Sequence, residues 1–150
     1  MRDLDSARKT LRIAGILSIV LGAIALIIAL LLFVGGGLVA WQFAVPDYLD
    51  SNEELPAAAA VALFLLTGSH FAIPSIAFLI QGFLSLRASS DSSEVCAAHI
   101  SSIAGLAIAA IAIAFFLAFD LSSLAAIVSA VGLALSGALF WASKTCRDRA

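Results

Sequence analysis

Four long apolar runs, separated by short polar stretches, dominate this chain of 150 residues. The first rises near Leu11 and fades near Val34, and the second extends from Ala57 to Leu86. The third reaches Phe119 from about position 95, and the fourth ends near Ala142. At about 1.5 Å rise per residue, each is long enough as a helix to cross a hydrocarbon layer of about 30 Å. Unpaired backbone groups are prohibitively costly in lipid, which leaves helices as the reading of all four runs. The pattern predicts an all-α membrane protein, an antiparallel four-transmembrane-helix bundle in one domain. Its expected spans are about 11–34, 57–86, 95–119 and 122–142.

Local signals punctuate the runs. Gly35, Gly36 and Gly37 weaken helix propensity by about 1 kcal/mol each relative to alanine, and mark an end, a kink or a hinge. Trp41, Phe43 and Tyr48 suit a membrane interface. Pro56 suits the first residue of the second helix, where its missing N–H costs nothing. That helix is expected to kink at Pro74. Asp91, with Glu94 three residues on, resembles a capping arrangement ahead of the third helix. Asp120 and Ser122 make a tight turn before the fourth. Ile13-Ala14-Gly15-Ile16 recurs as Ile103-Ala104-Gly105-Leu106, which hints at two related hairpins.

Charge orients the pattern. Arg2, Arg8, Lys9 and Arg12 precede the first run, Arg87 lies between the second and third, and Lys144, Arg147 and Arg149 follow the fourth. The connections from Gln42 to Pro56 and around Asp120 carry no basic residue but hold Asp47, Asp50, Glu53, Glu54 and Asp120. Lysine and arginine are retained on the cytoplasmic side, so both termini are expected inside. The apolar stretch Ile13 to Val34 exceeds the roughly 7–15 residues of a signal-peptide core and reads as an uncleaved span. Composition agrees: 63% of residues are hydrophobic and 12% charged, against about 45–50% and 25% in soluble domains. A multi-pass protein of the plasma membrane, of bacterial type, is expected. The lipid bilayer is its first partner, a second copy or another membrane protein the next, and nucleic acid is not one.

Small residues recur at helical spacings. Ala14, Ser18 and Gly22 share one stripe of the first span, and Ser101, Gly105 and Ala109 one of the third. In the fourth, Ser122, Ser129, Ser136 and Ser143 recur every seven residues, with Ala125 and Gly132 between them. Such stripes let helix backbones approach closely, and a seven-residue period favours a left-handed bundle. A polar pore is the alternative use of the hydroxyls, but no charge accompanies them.

Three further groupings carry candidate chemistry. Thr67, His70, Pro74 and Gln81 fall on one helical face near mid-span. Pro74 has no N–H to give the carbonyl of His70, so an imidazole, a hydroxyl, an open carbonyl and an amide could line a ligand or ion path. A neutral histidine bonded to a neighbouring helix is the plainer reading, and no carboxylate lies within any span to pair with it. Cys96, His99 and Cys146 fall at similar depth on the third and fourth helices and form the one metal-like set, weak because zinc normally takes four ligands. Gly68-Ser69-His70 is not a catalytic dyad, since adjacent helical residues point about 100° apart. No phosphate loop, His-Glu-x-x-His or Gly-x-Ser-x-Gly motif occurs, and no cofactor is implied.

Size and four-span layout resemble the small multidrug transporters. That family depends on a first-span glutamate, and here no carboxylate lies between Asp5 and Asp47. The layout also resembles small holins, through size and charged ends alone. The sequence therefore leads to a non-enzymatic interaction or accessory subunit, or a homo-oligomer, with a small channel or transporter built on the His70 face as the alternative.

Overall fold

The computed structural model describes the backbone of residues 2–44, 54–119 and 123–148, all but a few of them helical. Helix α1 is Arg2–Ala44, α2 Glu54–Ser90, α3 Val95–Phe119 and α4 Ser123–Arg147. All four are long and apolar enough to cross a membrane. Sequence neighbours run antiparallel. Gly15 faces Gly82 and Gly36 faces Phe64 between α1 and α2. His99 meets Ser143 between α3 and α4. Helices α1 and α4 close the ring, and α2 touches α4 across the diagonal.

Three helices outrun their apolar cores. Helix α1 begins well before Leu11 because its charges and its packing residues occupy different faces. Ala7 and Leu11 are fully buried, while Arg8, Lys9 and Arg12 are exposed. Nor does α1 end at its glycines. Gly36 lies against Phe64, where an added Cβ would come within 2.9 Å of the Phe64 Cβ, so this glycine serves a contact within a continuous helix. Helix α2 starts two residues before Pro56, which still falls in the first turn, and it continues through Pro74 as one helix to Ser90. Helix α4 runs past Ala142 to Arg147, with Ala142 and Cys146 buried one turn apart. Together with Ala7, Leu11, Ala88, Val95 and Ala98 they form a core cluster at the basic end.

The α2–α3 connection is tight. Asp91 caps a short 3-10 turn, Ser92–Glu94, and its Oδ1 accepts from the Ser93 N–H at 2.9 Å. Hydrogen bonds from Ser93 hold the Asp91 carboxyl below its usual range. The reciprocal half of a capping box is missing: the Asp91 N–H donates to the Arg87 carbonyl instead, and the Glu94 carboxylate lies 4.0 Å from Arg87. The side chains of Trp41 and Phe43, together with Tyr48, Asp120, Ser122 and the acidic segment 45–53, lie outside the described residues.

Burial is inverted relative to a water-soluble bundle. Small residues fill the interior, among them Ala7, Ala14, Ser18, Ala25 and Ala29 along α1. Large apolar side chains face outward on every helix, including Leu31 at 67% exposure, Ile111 at 68% and Ile127 at 60%. Monomeric soluble proteins rarely expose contiguous apolar surface on this scale. Against lipid tails it costs nothing, and small residues then give the closest helix contacts.

Candidate functional site

The expected polar stripe of α2 is divided between two places. His70 and Pro74 border a groove between α2 and α3, lined also by Leu66, Ser69, Ile73, Ile108, Ile111, Ala112 and Phe115, with a volume of about 250 Å³. The His70 ring stacks on Phe115 at 5.7 Å between centroids and meets Phe71 edge-on at 6.1 Å. Its Nε2 is buried with no hydrogen-bond partner among the described residues. Thr67 is half-buried outside this lining.

Gln81 is about three turns further along α2, fully buried in the bundle centre. Its Oε1 accepts from Ser136 Oγ of α4 at 3.1 Å. On α3 the missing side chain of Gly105 makes the room: a Cβ there would collide with Gln81 Oε1 and come within 2.9 Å of Ser136 Oγ. Gln81 Nε2 has no partner among the described residues. One turn earlier on α2, Phe78 enters the space over Gly132 of α4. Thr67, His70, Pro74 and Gln81 therefore do not form one path. They share a face by spacing, but α2 meets α3 at the groove and both α3 and α4 at the amide.

The small-residue stripes have definite positions. Ala14, Ser18 and Gly22 of α1 are buried, as are Ser129, Gly132, Ser136 and Ser143 of α4. On α3, Gly105 and Ala109 of the expected stripe are buried, but its first buried member is Ser102, whereas Ser101 is half-buried and bonds its own helix at the Ala98 carbonyl. Most buried hydroxyls are satisfied the same way, as Ser85 is by the Gln81 carbonyl at 2.7 Å. Ser18 Oγ has no partner among the described residues.

Cys96, His99 and Cys146 do not converge. Cys96 is exposed and Cys146 buried. His99 points inward, stacks on Phe140 at 5.0 Å, and its Nδ1 lies 3.1 Å from Ser143 Oγ. Three residues along a helix leave the two side chains about 60° apart, and the edge of the α3 packing face falls between them, with Cys96 outside and His99 inside. Among the described residues no group of three potential metal ligands exists.

Sequence reasoning included Gly22 in a packing stripe but missed Gly15 and Gly82, its fellows in the α1–α2 seam. Gly15, Gly22 and Gly82 bring two backbones together: a Cβ on Gly82 would lie 2.7 Å from the Gly15 carbonyl oxygen, and one on Gly22 would lie 2.8 Å from that of Ser75. The seven-residue interval from Gly15 to Gly22 was the available signal. It also missed a pocket at the basic end, bordered by Arg8, Lys9 and Arg12 of α1 and the last turn of α2.

The buried amide offers a test of what holds the centre. Replacing Gln81 by Leu removes an unpartnered buried donor while keeping the volume, so stability is expected to stay within about 1 kcal/mol of the native chain. Ser136→Leu, which adds volume against Gly105 and Gln81, is expected to lose about 1–3 kcal/mol. Thermal unfolding in a mild detergent measures both, and a larger loss for Gln81→Leu than for Ser136→Leu would show the amide to be the more important element.

Comparison of the chain with protein-family models, with curated proteins and with solved structures finds no match in any of the three.

Proposed function

We propose that this chain is a non-enzymatic plasma-membrane protein, inserted with both termini inside, that acts through lateral contact between copies in the bilayer. The carrying observation is the combination of a closed polar centre with an open apolar flank. Gln81 and Ser136 fill the middle of the bundle without exposed surface, against a buried Gly105, which disfavours a conduit through it. The α2–α3 flank combines a groove with protruding Ile73 and Ile111, at 62% and 68% exposure. A surface with both ridge and hollow can pair with itself, and isologous pairing is the commonest form of assembly.

Insertion and orientation rest on the four apolar helices and on the basic residues gathered at one end of the bundle. In a Cys96→Ser/Cys146→Ser background, an impermeant thiol reagent applied to intact cells is expected to label Asp50→Cys and Asp120→Cys but not Ser90→Cys or Asp148→Cys. Labelling of Asp148→Cys from outside sinks the orientation. For the assembly, Ile111→Cys in the same background is expected to give a disulfide-linked dimer in native membranes on mild oxidation. An outward Ile27→Cys on α1 serves as the control. A monomer throughout, or a dimer from Ile27→Cys alone, overturns the pairing face. A mass increment matching a different protein, with no linked dimer of this chain, replaces self-assembly by an accessory role.

A further inference from the structure

We propose that the pocket at the basic end of α1 and α2 is a binding site for the phosphate group of an anionic phospholipid. It is an open pocket of about 480 Å³, bordered by Arg8, Lys9, Arg12, Leu86, Ser89 and Ser90. Three cations therefore border one hollow, and no carboxylate is among its lining residues within the described part of the chain. The ion pairs found among the described residues, Arg87 with Glu94 and Arg147 with Asp148, involve none of the three. Clustered like charge of this kind is stabilised by an anion, and arginine presents a planar fork that matches phosphate oxygens. Ser89 and Ser90 add hydroxyl oxygens at the rim. They now donate to the Leu86 and Arg87 carbonyls at 2.7 and 3.0 Å, and each can turn toward a ligand instead.

The pocket's level in the fold separates a lipid from a free phosphate. It lies where α1 changes from charged to apolar, with Ile13 already 49% exposed one residue past Arg12. One turn further from the basic end, Ile16 on α1 and Phe83 on α2 are exposed at 47% and 58%. By helical spacing they stand above Arg12 and Leu86 respectively. A cationic hollow with an apolar wall continuing from it matches a phospholipid, head group below and acyl chains above. Basic pockets between transmembrane helices on the inner side bind anionic head groups in this way. The site rests on the bilayer insertion proposed above but not on pairing of copies.

The test is native mass spectrometry of the full chain in mild detergent, with phosphatidylglycerol and phosphatidylcholine of identical acyl chains supplied together. One phosphatidylglycerol is expected to be retained, with roughly ten-fold preference over phosphatidylcholine. Lys9→Gln/Arg12→Gln is expected to abolish the preference. Ser89→Glu, which places a carboxylate in the pocket and leaves α1 intact, is expected to do the same and stands alone if the first variant fails to insert. Lys144→Gln/Arg147→Gln removes as much charge elsewhere at the same end and is expected to retain the preference. Equal retention of both lipids overturns the proposal. So does an equal loss in the Lys144→Gln/Arg147→Gln variant, which would mean diffuse rim charge. Displacement of the lipid by millimolar glycerol phosphate would make the site one for soluble phosphate and overturns the lipid assignment. Insertion is read separately, by resistance of the chain to alkaline carbonate extraction, so its failure is distinguishable from failure of the site.

Discussion

Gly82→Ala is expected to destabilise the bundle by about 3 kcal/mol, the upper end of the overpacking range, although alanine favours a helix by about 1 kcal/mol. The added Cβ would sit 2.7 Å from the Gly15 carbonyl oxygen and 3.0 Å from the Ile19 nitrogen. Both are backbone atoms, so no side-chain rotation relieves the clash and α1 must move away from α2 as a body. The contrast lies in the same molecule: a Cβ on Gly37 or Gly137 meets nothing within 4 Å. Gly137→Ala is therefore expected to stabilise by up to about 1 kcal/mol, through propensity alone. Unfolding by a denaturing detergent in mixed micelles measures both. Similar small changes at positions 82 and 137 would mean that the α1–α2 seam is looser than its geometry.

At the second close approach, α2 and α4 meet across the bundle. Gly132→Ala places a Cβ 2.7 Å from Cε2 and 2.9 Å from Cε1 of Phe78, a side chain with no exposed surface in which to retreat. A loss of about 1–3 kcal/mol is expected. Here the obstacle is a side chain, which makes the effect conditional. In a Phe78→Leu background the same substitution should cost much less, with a coupling energy of at least about 1 kcal/mol between the two positions. Additive losses in the double variant would exclude direct contact between this ring and Gly132. Position 82 has no such rescue within reach, because no side-chain replacement on α1 removes a backbone oxygen.

The two glycines explain why the interior was only half legible beforehand. A glycine in an apolar helix reads as weak propensity, which makes the run Gly35–Gly37 an end, a kink or a hinge. Its role depends on the facing helix: Gly36 meets Phe64, while Gly37 meets nothing. The polar residues behave similarly. Spacing on α2 put His70 and Gln81 on one stripe, correctly as helical geometry. That stripe crosses from a two-helix groove to a three-helix centre, because the neighbours of α2 change along its length. On α3, Ser101 and Ser102 are both small and polar, and only the direction of α2 and α4 decides that Ser102 is the buried one.

The sequence by itself determined four helices, through apolar runs too long for anything but membrane-length segments. It also put Ser129, Ser136 and Ser143 on one stripe, since a seven-residue repeat is a property of a single helix. Both are local or compositional quantities. Tertiary structure decided the rest: that α1 continues through its arginines because Ala7 and Leu11 find a core, that His99 is buried while Cys96 at the edge of the same face is exposed, and that Arg8, Lys9 and Arg12 border one hollow with the end of α2. Which residues are buried depends on the rotation of each helix about its axis relative to its neighbours. A helix surrounded by lipid has little amphipathic contrast to encode that rotation, since its outward and inward faces are both apolar. Here it is set by which residues are small enough to let another backbone approach.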